Sequence, residues 1–157
     1  EGRPIKFDTC LLFGPMYPVF GMEGKLKVLS EAMAQLNKGG RLFIVYCMNE
    51  FAMIRQGIME GNLIKLENDY DEAFKIKENP ESLYSRMRLE EIDYLNEKAG
   101  LKRLNIISQD GPTDYLRGHI NAMSDLEFQR YIDYQLSICE RKELIGAGAH
   151  ILDIIQI

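Results

Sequence analysis

The chain has 157 residues, 46% hydrophobic and 27% charged, which is the make-up of one ordinary globular domain. A net charge of -5 argues against nucleic-acid binding by bulk electrostatics, which needs a basic face. No apolar run approaches the roughly 20 residues of a membrane span, and no basic-then-apolar leader opens the sequence, so a cytoplasmic protein is expected.

Residues 7–13 form a largely apolar run, expected to be a strand buried on both faces as in a parallel sheet. Gly14-Pro15 and then Pro18 end it. Met22, Leu26, Leu29, Met33 and Leu36 recur at helical spacing, predicting an amphipathic helix over 23–37. Asn37-Lys38-Gly39-Gly40 reads as its stop, and Leu42–Met48 as a second buried strand. Strand, helix and strand with short connections make a βαβ unit with parallel strands.

Asn49 can cap a helix reaching about residue 60, and Gly61-Asn62 breaks it. Residues 63–81 are mixed and charged and read as an irregular cover. The carboxylates Glu67, Asp69, Asp71 and Glu72 lack the ordered spacing of a calcium loop and suggest a solvated face, so no metal is expected. A short extended piece is expected at 82–87, a helix through Leu89, Ile92, Leu95 and Ala99, and a strand at 101–108. Pro112 suits the first turn of a helix carrying Leu116, Ile120 and Met123. Ser124-Asp125-Leu126-Glu127 fits a capping box. The helix it starts carries Phe128, Ile132, Leu136 and Cys139 as an apolar stripe, and residues 147–157 read as a terminal strand. The three cysteines, Cys10, Cys47 and Cys139, are widely spaced and read as reduced core thiols.

Two segments carry a resemblance. FDTCLLFGPMYPVF, beginning at Phe7, and LNKGGRLFIVY, beginning at Leu36, resemble the half of class I S-adenosylmethionine-dependent methyltransferases that follows the glycine-rich loop. The closing ICERKELIGAGAHILDI is similar to the tail of a bacterial branch of that family. The resemblance implies an α/β fold: part of a doubly wound, Rossmann-like sheet, mainly parallel with an antiparallel last strand, under a helical cover. It implies that residues 1–157 are the carboxyl-terminal portion of one methyltransferase domain, with 61–88 and 112–140 as cover insertions. The opening on Glu1 rather than Met fits that expectation. The family's GxGxG loop and its acidic ribose-holding strand end do not occur in this sequence, and Pro18 stands where relatives carry His.

Methyl transfer from a sulfonium needs alignment in a dry site more than a nucleophile or metal, so the catalytic residues stay unassigned. By resemblance, Gly14, Pro15 and Met16 are expected at the rim of an S-adenosyl-L-methionine site that the full-length protein would complete. Tyr17, Tyr46, Met48, Asn49 and His119 are candidates for the side that holds a small-molecule substrate. The residues alone give His119 as a surface histidine, His150 as structural, and Tyr17 as a half-buried aromatic. A fragment without the loop should bind cofactor poorly. The competing expectation is a non-enzymatic α/β module that pairs into a homodimer through an exposed sheet edge.

Overall fold

The computed structural model describes residues 5–157. The order is β1 (Phe7–Leu12), α1 (Met22–Ala34), β2 (Leu36–Met48), α2 (Asn49–Ala52), β3 (Arg86–Met87), α3 (Leu89–Lys98), β4 (Lys102–Ser108), α4 (Arg117–Asn121), α5 (Asp125–Ile138) and β5 (His150–Gln156). A π-helical stretch, Met53–Met59, continues α2. The strands form one open sheet of order β1-β2-β5-β4, with β3 also pairing with β2.

The α/β class and the strand directions follow the sequence reading. β1 and β2 are parallel. Gly39 N–H donates to Ile157 and Met48 N–H to Ala149, so β5 runs against β2. Arg103 meets Asp153 while Gln109 meets His150, so β4 also runs against β5. Three long strands therefore point one way and β5 the other.

The chain divides into two compact units. The first takes the chain up to Cys47, then Glu78–Ile106 and Leu152–Ile157; the second takes Met48–Lys77 and Ile107–Ile151. In the first unit, Leu29 of α1, Leu42 and Ile44 of β2, Ile92 and Leu95 of α3, and Ile155 of β5 form a fully buried core. Asp153 of β5 is 0% exposed within it. A buried carboxylate must be paired. Arg103 of β4 supplies Nε to Oδ1 at 2.6 Å and Nη2 to Oδ2 at 2.9 Å, and Asn96 of α3 donates to Oδ2 at 2.7 Å. These bonds hold the Arg103 guanidinium above its usual range.

Four expectations change. The helix expected to open at Pro112 does not: α4 covers only Arg117–Asn121, and Leu116 and Met123 lie outside it. β1 is not buried on both faces: Phe7, Leu11 and Phe13 are 53, 57 and 55% exposed. Among the described residues β1 pairs only with β2, and the face carrying these residues is exposed. Gly39-Gly40 does not stop α1, which ends at Ala34. The pair sits inside β2, where the register with β1 jumps from Phe7–Leu36 to Thr9–Arg41. Gly39 has φ 83, and a Cβ on Gly40 would lie 2.9 Å from the Asn37 carbonyl, so this bulge requires glycine.

The stripe of α5 is also not core. None of its residues is buried. The helix begins instead through its cap: Glu127 N–H donates to the Ser124 hydroxyl, and Ser124 N–H donates to the Glu127 carboxylate at 2.9 Å. The three cysteines are free and half-buried, and burial pushes the Cys10 thiol up.

Replacing Asp153 by Ala leaves the Asn96 amide without its acceptor and the part-buried Arg103 guanidinium with Asp93 alone. A stability loss of about 3–5 kcal/mol in urea unfolding is expected; a loss below about 1 kcal/mol would show that the pair carries little.

Candidate functional site

The first unit places the Gly14–Tyr17 turn directly after β1. Gly14 has φ 113, a conformation that only glycine adopts freely, and Tyr17 N–H closes the turn on the Gly14 carbonyl at 2.9 Å. Pro15 is exposed, whereas Met16 is 1% exposed. Met16 thus anchors the turn in the core and is not an open wall. Tyr17 packs edge-on against Tyr84 at 6.0 Å, and its carbonyl accepts from Ser85 N–H at 2.6 Å. Lys25 of α1, 2% exposed, ties together the segments next to the bend. Its ammonium donates to the Val19 carbonyl and to the Ser85 hydroxyl at 2.8 Å, and lies 3.5 Å from Glu78. Glu78 also accepts from Gly21 N–H at 2.7 Å, just before α1.

Tyr46, Met48 and Asn49, the candidates for the acceptor side, are closed to solvent. Tyr46 lies in the first unit with its hydroxyl unpartnered; burial, then the Asp153 charge, push it above the usual tyrosine range. Met48 N–H is used in the β5 ladder. Asn49 is not a helix cap; Met48 precedes the first turn in that place. The Asn49 side chain instead accepts from Ile76 N–H at 2.8 Å and donates to the Phe74 carbonyl at 3.0 Å, clamping the 74–76 loop within the second unit. His119 is exposed on α4.

The second unit contains a cavity of about 160 Å³ that the sequence did not announce. Ser108, Gly111, Tyr115, Gln135, Ile138 and Gly148 are among its walls. Asp110 secures one side. Its carboxylate receives His150 N–H at 3.1 Å and lies 2.7 Å from His150 Nδ1, which gives His150 the structural role expected of it. A Cβ on Gly148 would fall 2.8 Å from the same carboxylate, so glycine is needed there. Thr113 bridges the turn to α5 through the Tyr131 hydroxyl at 2.6 Å. Tyr115 donates to the Ala147 carbonyl at 2.5 Å and packs on Phe51.

The sequence showed Asp110-Gly111-Pro112 only as a turn. Gln135 carried a readable signal: residues 128, 132, 135 and 139 share one helical face, so a glutamine stands in an apolar stripe.

No protein-family model matches the chain, and no curated protein does. Solved structures do. The apo form of the S-adenosylmethionine-dependent methyltransferase SibL aligns at 13% identity and a TM-score of 0.46, over 99% of this chain and 32% of that one. The cyclopropane synthase MmaA2 from Mycobacterium tuberculosis aligns at 16% identity and a TM-score of 0.45, over 98% of this chain and 56% of that one. The chain thus spans only part of either protein.

Burial, then the charges of Asp110, Asp114 and Glu50, push Tyr115 up to about 12. A raised phenol favours the neutral folded form, so its contribution is complete below the ordinary value of 10.0 and is lost as pH rises through about 12. Ultraviolet titration should show Tyr115 ionising late, an increment that Tyr115→Phe removes. A Tyr115 signal complete by the ordinary value would contradict the burial.

Proposed function

We propose that this chain is the carboxyl-terminal portion of an S-adenosylmethionine-dependent methyltransferase acting on a small molecule in the cytoplasm. The observation that carries the reading is the Gly14–Tyr17 bend at the carboxyl end of β1, beside its parallel neighbour β2. Open α/β sheets bind ligands in this place, and the flanking FDTCLLFGPMY and LNKGGRLFIVY resemble the family there.

The residues fit the donor as one wall only. A Cβ at Gly14 would meet nothing within 4 Å, so the bend faces open space. The glycine-rich loop and acidic strand end that relatives use are not in this sequence. When bound, the donor would supply the activated methyl group. Gly14, Pro15 and Tyr17 would contribute shape and exclude water from one side, with Met16 and Lys25 fixing the bend beneath them. Among the described residues no helix is long and apolar enough to cross a membrane. In calorimetry this chain alone should show no low-micromolar affinity for S-adenosyl-L-methionine. An affinity in that range would contradict the one-wall reading.

The bare face of β1 favours a second reading, a self-associating module. An unpaired edge flanked by Phe7, Leu11 and Phe13 suits pairing with a second copy. Light scattering should then give a mass that rises with concentration above 18.1 kDa, and Leu11→Lys should hold it at that value. A concentration-independent 18.1 kDa for the unaltered chain would count against self-association.

A further inference from the structure

The cavity of the second unit has apolar walls, yet three polar atoms beside it have no partner: the Ser108 hydroxyl and both the nitrogen and oxygen of the Gln135 amide. Buried polar groups are normally satisfied, and each exception is costly. The Gln135 amide lies flat against Gly111, where a Cβ would fall 2.6 Å from Oε1. Gly111 has φ 49, a backbone conformation that favours glycine and leaves its bare Cα under the amide. The amide is thus held against backbone that does not bond it, and the void lies alongside.

We propose that this cavity binds a small planar ring bearing a hydrogen-bond donor and acceptor side by side, as in a carboxamide or lactam. The volume fits one ring: an engineered apolar cavity of about 150 Å³ holds benzene, and this one is about 160 Å³. A primary amide is the complement of the Gln135 side chain. Turned off Gly111 into the void, Gln135 donates from Nε2 to the ligand carbonyl and accepts at Oε1 from the ligand N–H, while Ser108 supplies a further hydroxyl. A purely apolar ring fills the same space but leaves all three atoms unpaired. The site therefore selects by hydrogen bonding rather than by size. It stands apart from the donor reading, since every residue named is in the second unit and none is in the Gly14–Tyr17 bend.

The test is a ¹H–¹⁵N titration of the whole chain with benzamide and, separately, with benzene. Benzamide should bind at least tenfold more tightly and shift the Gly111 amide and the Gln135 side-chain amide. Gln135→Leu should erase the preference while benzene still binds. Ile138→Trp should exclude both rings; if its spectrum shows an unfolded chain, Ala147→Leu fills the cavity from another wall and gives the same reading. Equal affinity for the two rings, binding of neither, or a benzamide preference that survives Gln135→Leu would each overturn the proposal.

Discussion

A buried ammonium organises the candidate donor rim. Lys25 is closed to water on α1, and a charge in that position must find acceptors. It finds them at Val19 just before the helix, and at Glu78 and Ser85 far along the chain. Those acceptors belong to the segment leaving the bend and to the segment leading into β3. One cation thereby ties the exit of the Gly14–Tyr17 turn and the start of α1 to the segment leading into β3. Glu78 reinforces this by receiving Gly21 N–H, so a single carboxylate serves both the helix start and the lysine.

Asp153 plays the matching part elsewhere in the same unit. Its two oxygens are divided between a bidentate guanidinium and an amide, which ties β5 to β4 and to α3. Arg103 also reaches Asp93 at 2.5 Å, so the guanidinium is held between two carboxylates. The bidentate geometry is what makes such a pair specific rather than merely attractive. It fixes which residues of two antiparallel strands face each other, and a slip of one residue would carry the carboxylate to the other side of the sheet.

Much of this architecture was legible. The periodicity of α1, the capping box of α5 and the βαβ start all rest on local rules that tertiary packing did not override. What was not legible has identifiable causes. The run from Phe7 to Phe13 is mostly apolar, so it reads as two buried faces, and only the fold shows that Phe7, Leu11 and Phe13 are exposed. Gly39-Gly40 reads equally as a helix stop or a bulge, and the pairing of β1 with β2 decides it. Asn49 has the chemistry of a cap, but a long-range contact with the 74–76 loop claims its side chain. The cavity depends on contacts between Gln135 and Gly111, 24 positions away in sequence, and no local pattern contains that distance.

The functional account rests on an open bend at the carboxyl end of a parallel strand, pinned in the core by Met16 and Lys25. The most direct measurement is a ¹H–¹⁵N titration of this chain with millimolar S-adenosyl-L-methionine. The account predicts weak, saturable shifts centred on the amides of Gly14, Met16 and Tyr17. Shifts absent from those three residues, or centred elsewhere in the chain, would contradict it.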